Sequence, residues 1–554
     1  MIKNDASRKY LRIHATLTVL LAAFAFSYAL TCGFVGDDRT YFIENDILPT
    51  LKPWDLWAIL TTPSNYWGDH LPLRDLLFVL EFNIFGLWAP GYHVVSLILY
   101  AALCLVVFQL VLKLYSIFSG DSIDETSRRW SALLVSALFI LHPVHVEAAA
   151  YISSQKDLLY ALFTFLSLFL FIKYLEDNRS LSLSLLTGAV ACYYLAYLSK
   201  WFAISNAVAF PALWLLAGRP GRHRFHHVIA FWIILNIPAF LWMLYSMKIL
   251  AVAGLTVTDV DLTFSLLRAI RILGALTLLV IFPYPLNFGY PFDQAWHLDA
   301  TAIAGFTILA ATLAALILRP RSLVTLGLCI YVLYFIPVVR LFVEILNAVI
   351  YDRYLFVPLL GAAILVERGF NFVQRYLHLT GKSITAGAIS LCLVLAVLSN
   401  AYVRSYKSDV TMMEHGFHHY RQWNRIPFDY VYALIEAGEL EKASRLTAEE
   451  PSFAKPTWVR DYFSGWICLE SGDLECAIAH LTRALHLNMG RNYPFAEVQL
   501  GRAYLAVADY ERAELVLNRV IKSRIHNPLE YYKAKSTLHE IEKIKEMSQK
   551  YQQP

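Results

Sequence analysis

Residues 14–39 read HATLTVLLAAFAFSYALTCGFVGDDR, an apolar segment followed at once by two adjacent carboxylates, Asp37 and Asp38. The apolar part, residues 14–35, is long enough to cross the hydrocarbon core of a bilayer. It is also too long for the apolar region of a signal peptide, so we interpret it as a retained anchor. Lysine and arginine residues precede it, which predicts that the amino end lies in the cytoplasm. Asp37 and Asp38 are therefore expected on the outer face of the membrane.

The composition of the whole chain is that of a polytopic membrane protein. Of its 554 residues, 58% are hydrophobic and 16% are charged, and the mean hydropathy is +0.49. The net charge of +4 does not indicate a nucleic-acid partner, because lysines and arginines fall at the ends of apolar segments. The cysteines form no CxxC pair, which argues against a thiolate zinc site. Whether Cys468 and Cys476 pair stays open.

Residues 1–401 are predicted to form an all-α membrane bundle with about eleven crossings. Residues 262–282 are ambiguous. If they cross the membrane, Arg319 and Arg321 lie outside, so we interpret this stretch as a re-entrant or surface-lying helix. The amino end is then cytoplasmic and the carboxyl end extracytoplasmic. The predicted crossings are residues 14–35, 92–112, 130–141, 158–171, 181–198, 202–216, 228–247, 301–318, 323–338, 354–366 and 384–400.

A helical repeat follows in residues 402–554, which we expect on the outer side of the membrane. Ala443, Ala477 and Ala513 are spaced by 34 and 36 residues, close to the period of tetratricopeptide repeats. Around the last two, a glycine precedes each alanine and a leucine follows it at matching distances. Small residues there allow paired helices to approach closely. The sequence predicts about three repeats and a capping helix at residues 528–549.

The first outer loop, residues 36–75, contains the most prominent candidate site. An ionisable group near a membrane usually has a function, so Asp37 and Asp38 are candidate catalytic carboxylates. The alternative is that the two side chains only cap a short helix in the loop. The same loop is rich in aromatic residues, and Tyr66 and Trp67 are suited to stacking on a sugar ring.

Two further groups of polar residues are predicted at outer ends of crossings. His142, His145 and Glu147 follow a crossing, and Pro143 favours a helix start there, which makes His142 the cap and directs His145 and Glu147 into an outer vestibule. These side chains suit a divalent metal, a phosphate or a base; the alternative is a set of satisfied interface residues. Lys156, Lys200 and Arg353 are cations that suit the phosphate of a lipid-linked donor, with snorkelling as the alternative.

Across nearly its whole length the chain resembles the transmembrane and tetratricopeptide-repeat O-mannosyltransferases. The resemblance lies in an ordered series of short motifs. These motifs are GDD at residues 36–38, YWG at 66–68, LR at 73–74, GYH at 91–93, LHPVHVEA at 141–148, KDLL at 156–159, LSK at 198–200 and DRYLFVP at 352–358.

The resemblance implies a C-type, multi-span glycosyltransferase fold and an inverting transfer of sugar from a polyprenyl phosphate. It implies that Asp37 is the base and Asp38 its partner. The other candidate site residues also fall at motif positions; these are His142, His145, Glu147, Lys156, Asp157, Lys200, Asp352 and Arg353. Two features depart from the family: the repeat array is short, and Trp201 follows Lys200 where a glutamate is common. The short array indicates a bacterial protein of the inner membrane, and the expected donor sugar is mannose or another single sugar.

We therefore expect a membrane glycosyltransferase whose acceptor is an extracytoplasmic hydroxyl, with a protein acceptor bound by the repeats. No cofactor is predicted with certainty beyond the lipid-linked donor, and a divalent metal is left open. One alternative is transfer to a lipid-linked glycan or to lipid A. Another is a non-catalytic assembly factor whose repeats recruit a partner. A transporter would place its ionisable groups near the midplane rather than at one surface.

Overall fold

The computed structural model is almost entirely α-helical, in agreement with the predicted class, and has only two short strands among the residues it describes. Those residues are 13, 16–65, 70–119, 124–176, 182–218, 262–291, 297–339, 349–423, 425–453, 457–487, 494–522 and 528–551, with short pieces between 226 and 241. Tyr66, Trp67 and most of the predicted crossing at 228–247 lie outside them.

The chain separates into two compact units. The first consists of Met1–Asp38, Ile47–Ser64 and His70–Lys407. The second consists of Arg39–Asp46, Asn65–Asp69 and Ser408–Pro554. Part of the first outer loop therefore belongs to the same unit as the carboxyl-terminal helices, although more than three hundred residues of sequence separate them.

The main α-helices of the first unit are numbered α1 to α14. They are α1 (Thr16–Thr31), α2 (Leu56–Thr61), α3 (Pro72–Phe85), α4 (Ala89–Ser119), α5 (Glu125–Leu141), α6 (Val146–Ala150), α7 (Gln155–Glu176), α8 (Ser182–Ser199), α9 (Asn206–Leu216), α10 (Leu262–Ile281), α11 (Ala300–Leu318), α12 (Leu323–Leu333), α13 (Leu359–Tyr376) and α14 (Gly381–Val403). The two strands, β1 (Tyr290–Pro291) and β2 (Val349–Ile350), pair antiparallel with Tyr290 opposite Ile350.

The prediction of about eleven crossings is wrong for the part of the chain that the structure describes. Four helical stretches there are long and apolar enough to span a bilayer: Ala89–Phe118, Ile152–Glu176, Ala300–Leu318 and Gly381–Lys407. A fifth is possible if the bent pair Glu125–Leu141 and Pro143–Ala150 forms one span. Other apolar stretches, such as Leu323–Val338, form helices of 10–17 residues, and local hydropathy does not distinguish these from spans. The chain is an integral membrane protein, and the path of residues 262–282 remains a prediction.

The helices α10 and α11 approach each other closely at two glycines. A Cβ atom added to Gly274 would lie 1.7 Å from the carbonyl oxygen of Thr301, and one added to Gly305 would lie 2.0 Å from that of Ile270. Such distances are far below van der Waals contact, so neither position has room for a side chain. Small residues at these points let two apolar helices pack backbone against backbone.

Replacing Gly274 by Ala is expected to lower the melting temperature of the detergent-purified protein, because α10 and α11 must move apart. Overpacking of this kind costs about 1–3 kcal/mol. The matched control is Gly369→Ala on α13, where an added Cβ meets no atom within 4 Å. Thermal unfolding followed by intrinsic fluorescence compares the two variants. Equal melting temperatures would show that this helix contact is not as close as described.

The second unit consists of helices that pack on their neighbours along the chain. They are α15 (Asp409–Tyr420), α16 (Arg425–Glu436), α17 (Leu440–Glu449), α18 (Thr457–Glu470), α19 (Leu474–Leu487), α20 (Pro494–Ala506), α21 (Tyr510–Lys522) and α22 (Pro528–Tyr551). Gly465 lies against Leu481, and Gly501 against Leu517, with distances of 2.7 and 2.6 Å from an added Cβ to the leucine side chain. The close approach predicted from the sequence at these two glycines is confirmed. A disulfide between Cys468 and Cys476 joins α18 to α19.

Candidate active site

The carboxylate of Asp38 is fully buried and anchors the turn after α1. Its Oδ1 accepts hydrogen bonds from the backbone N–H of Ser153 at 2.6 Å and from the Ser153 hydroxyl at 2.5 Å. Its Oδ2 accepts from the backbone N–H groups of Val35 and Ile152, both at 3.3 Å. Gly36 has φ +52°, a left-handed conformation that costs glycine little. Asp38 therefore ties the first outer loop to the link between α6 and α7.

The four hydrogen bonds leave Asp38 poorly suited to act on a substrate. Its side chain is 0% exposed, and burial raises the pKa of its carboxyl to about 7. The nearby charge of Asp37 raises this pKa further, while the hydrogen bonds from Ser153 and Val35 oppose the rise. The role that fits this environment is to position its neighbour in the chain.

The neighbour, Asp37, has the opposite environment and is exposed. Its backbone N–H donates a hydrogen bond of 2.7 Å to the hydroxyl of Tyr151. Tyr151 is nearly buried and also interacts electrostatically with Asp38 and Arg353. One adjacent pair thus provides one anchored carboxylate and one that solvent can reach.

Arg353 forms an ion pair with Glu147. Its guanidinium Nη1 contacts Glu147 Oε1, and its backbone N–H donates to Glu147 Oε2 at 3.1 Å. The side chain of Glu147 is 1% exposed and that of Arg353 is 14% exposed. The guanidinium also lies 4.0 Å from the centre of the Tyr351 ring, which holds it by a cation–π contact.

Asp352 contacts a different set of groups from Arg353. The hydroxyl of Tyr290, on β1, donates to Asp352 Oδ1 at 2.7 Å, and the hydroxyl of Tyr402 lies 3.5 Å from Oδ2. Burial and the nearby charge of Glu147 raise the pKa of Asp352 well above its usual range. Its role here is to fix the position of the turn that carries Arg353.

Lys200 is the second cation of the site and is buried. Its Nζ pairs with Asp157 Oδ1 at the start of α7 and lies 4.2 Å from the centre of the Phe202 ring. Burial lowers the pKa of Lys200 to about 8, against the raising effect of Asp157. Arg353 and Lys156 are close enough to lower this pKa as well. Lys156 and Arg353 therefore both lie within electrostatic range of Lys200.

The ring nitrogens of His142 and His145 contact other groups of the protein. His142 caps the short turn Pro143–His145, and its Nε2 lies 3.0 Å from the carbonyl oxygen of Val280. His145 is 0% exposed, and its ring nitrogens contact the Tyr100 hydroxyl and the Phe356 carbonyl. The expectation that His145 faces an outer vestibule is wrong, because residues 143–145 form a tight turn that directs the ring inward. Among the described residues, no group of three or more His, Cys, Asp or Glu side chains could hold a metal ion.

Several residues of this region were not predicted from the sequence. Ser153, Tyr151 and Tyr290 contact the acidic residues, but nothing in the sequence separates them from other hydroxyl and aromatic side chains at a membrane surface. Glu81 could have been noticed in the sequence, because it is a lone carboxylate in an apolar stretch. It is buried beside Gln155, which donates to it at 2.8 Å, and burial raises the pKa of Glu81 to about 8. Tyr66 and Trp67 lie outside the described residues.

Comparisons with known proteins find relatives named protein O-mannosyl-transferases. A Caenorhabditis elegans protein of this name is 25% identical over 423 residues, which cover 72% of this chain and 57% of that protein. Human protein O-mannosyl-transferase TMTC4 is 26% identical over 435 residues, 67% of this chain and 56% of that protein. Human protein O-mannosyl-transferase TMTC2 is 34% identical over 152 residues, which cover 26% of this chain and 17% of that protein.

The similarity extends over most of this chain but over a smaller part of its relatives. The chain spans 57%, 56% and 59% of the worm, human TMTC4 and mouse TMTC4 proteins. No protein-family model matches the chain, and no solved structure is similar to it. The resemblance predicted from the motifs is thus supported at the level of similarity to proteins with this name.

Proposed function

We propose that this protein is a membrane glycosyltransferase that moves one sugar from a polyprenyl phosphate to a hydroxyl of a protein acceptor. The observation that carries the proposal is the division of the acidic pair: Asp38 is buried and fully hydrogen-bonded, while Asp37 is exposed. An enzyme of this class needs one accessible carboxylate held at a defined place near cations that stabilise a phosphate. The similarity to proteins named protein O-mannosyl-transferases supports the same class of reaction.

In the proposed reaction, the acceptor oxygen attacks the anomeric carbon as the bond from that carbon to the phosphate oxygen breaks. Asp37 takes the proton from the acceptor hydroxyl. The bonding electron pair leaves with the phosphate, giving polyprenyl monophosphate, and attack from the opposite face inverts the anomeric centre. The donor brings its own good leaving group, so the protein supplies mainly a base and charge stabilisation.

The cations assigned to the departing phosphate are Arg353 and Lys200, with Lys156 nearby. Each of the first two is paired with one carboxylate, Glu147 or Asp157. A guanidinium has five N–H donors. In Arg353 the Glu147 side chain accepts a hydrogen bond from one nitrogen, Nη1, so the planar donor geometry that suits a phosphate is retained. In this proposal the carboxylates hold the two cations in place before the donor binds.

We also propose that the protein lies in a bacterial cytoplasmic membrane. The site and the second unit are then on the side of this membrane that faces away from the cytoplasm. The disulfide between Cys468 and Cys476 supports this, because disulfides persist in oxidising compartments and are rare in the cytosol. The charge bias of the sequence supports the same orientation. The helix pairs of the second unit are proposed to be tetratricopeptide-like repeats, based on their glycine and leucine spacing.

The purified full chain in lipid nanodiscs tests the proposed reaction directly. The donors are a polyprenyl phosphate that carries labelled mannose or another labelled hexose, and the matching labelled nucleotide sugar. We expect label from the polyprenyl-phosphate donor, but not from the nucleotide sugar, to enter membrane-depleted extracytoplasmic protein. Transfer from the nucleotide sugar would contradict the proposed donor. Label that enters only lipid-extractable material would contradict the protein acceptor and indicate a lipid-linked glycan instead.

The rate of transfer is expected to fall as the pH rises through about 8, because the pKa of Lys200 is lowered to about 8 and the uncharged amine no longer stabilises the phosphate. Below this pH Lys200 carries its charge, so its protonation does not limit the rate. The test is the pH–rate profile of wild type against Lys200→Arg, whose guanidinium stays charged. In the variant the fall should move to higher pH. The same profile in both proteins would show that Lys200 does not cause it.

A further inference from the structure

The segment Arg39–Asp46 follows the acidic pair directly but belongs to the second unit. Its side chains Thr40, Tyr41 and Phe42 are 7%, 6% and 2% exposed. Asn45 is also buried and donates to the carbonyl oxygen of Tyr41 at 3.0 Å, which closes the segment on itself. A loop that only connects two helices usually lies on the surface, so the burial of four of these eight residues indicates a further role.

Arg39 binds three carboxylates in this unit. Its guanidinium lies 3.0 Å from Glu436 on α16, 3.5 Å from Asp409 on α15 and 3.6 Å from Glu44 in its own segment. The Arg39 side chain is 29% exposed, so these pairs are partly shielded from solvent. One side chain of the first outer loop is therefore held by two helices that come more than three hundred residues later in the chain.

A second cation completes the same cluster. Lys533 on α22 donates to the hydroxyl of Tyr432 at 2.6 Å and lies 3.4 Å from Glu436, so Arg39 and Lys533 share one carboxylate. Lys533 also interacts electrostatically with Glu44. We call Arg39, Glu44, Asp409, Glu436 and Lys533 the Glu436 cluster. Within this cluster Glu436 has two cationic partners, one from the segment and one from α22.

We infer that the second unit binds the segment Arg39–Asp46 as an internal ligand and thereby positions Asp37, with Arg39 as the positioning residue. Asp38 is fixed to Ser153, and the next residue, Arg39, is fixed to the Glu436 cluster. In this proposal the anchor at Arg39, two residues after Asp37, limits the movement of the backbone that carries Asp37. The inference rests on the proposed role of Asp37 as the base. It also means that an acceptor binds away from the Glu436 cluster or displaces the segment.

Hydrogen–deuterium exchange of the full chain in nanodiscs tests the binding of the segment, and sugar transfer tests the positioning. The variants are Arg39→Ala and Arg39→Lys. The matched control is Arg445→Ala, which removes an arginine of the same unit from an exposed pair with Glu441. We expect amide exchange in residues 39–46 to rise roughly tenfold in Arg39→Ala, as for loss of a charge-assisted hydrogen bond. Transfer should fall by a similar factor, with Arg39→Lys between wild type and Arg39→Ala.

The two measurements separate failure of this inference from failure of the proposed function. Unchanged exchange in residues 39–46 of Arg39→Ala would overturn the binding of the segment. Faster exchange with wild-type transfer would overturn the positioning role. If wild type itself transfers no sugar, the proposed function is wrong and the positioning role falls with it, while the exchange result still decides whether the second unit binds the segment.

Discussion

Replacing Asp37 by Asn is expected to reduce sugar transfer by roughly 10²- to 10⁴-fold, the range measured for removal of a general base. The carboxamide has nearly the same size but does not take the acceptor proton. Asp37 is exposed, and its bond to Tyr151 is made by the backbone N–H, so the variant keeps that contact. The protein should therefore reach wild-type levels in the membrane and keep its melting temperature.

Two matched substitutions control this experiment. Asp55→Asn alters another carboxylate of the first outer loop, whose side chain accepts a hydrogen bond from the backbone N–H of Lys52, and should leave transfer unchanged. Asp38→Asn places an amide opposite backbone N–H donors and should lower stability as well as transfer. If Asp37→Asn retains more than about a tenth of wild-type transfer, Asp37 is not the base.

Replacing Arg353 by Met is expected to destabilise the protein and to remove most of its transfer activity. The substitution leaves Glu147 without its cationic partner at 1% exposure, and breaking a buried pair in this way costs about 3–5 kcal/mol. Loss of the cation also removes the proposed stabilisation of the departing phosphate. Thermal unfolding and transfer rates of the purified protein measure the two effects.

A double variant separates the structural effect from the chemical one. Glu147→Gln combined with Arg353→Met removes both charges, so stability should largely return while transfer stays low. Arg353→Lys keeps a charge but not the planar donors, and should retain stability better than transfer. The exposed Arg445→Met serves as the control for arginine removal. Recovery of transfer in the double variant would show that Arg353 is needed only to neutralise Glu147.

Some features of the fold follow from local sequence, and others depend on contacts that local sequence does not encode. The repeated glycine spacing predicted that paired helices approach closely, and Gly465 lies against Leu481 of the neighbouring helix, because the helical period determines which residues face a partner. The number of crossings was overestimated because short buried helices and true spans have the same hydropathy. The segment Arg39–Asp46 joins helices far along the chain, and no local pattern indicates that.

The candidate site shows the same limit at the level of single residues. Asp37 and Asp38 are the same residue type, and the burial and hydrogen bonds of Asp38, including two with Ser153 115 residues away, distinguish the anchor from the candidate base. Lys200 and Arg353 were predicted as cations for a phosphate, but their pairing with Asp157 and Glu147 was not, because it depends on how separate helices meet. His145 was predicted to face an outer vestibule, and its side chain is fully buried for the same reason.

The intact mass of extracytoplasmic proteins tests the central claim most directly. The comparison is between cells that carry the wild-type protein, cells that lack it, and cells with Asp37→Asn at matched membrane levels. We expect a protein whose mass is larger by one sugar in wild type and unmodified in both other strains. A modification that persists in Asp37→Asn would contradict the assignment of the base, and identical masses in all three would contradict transfer to protein.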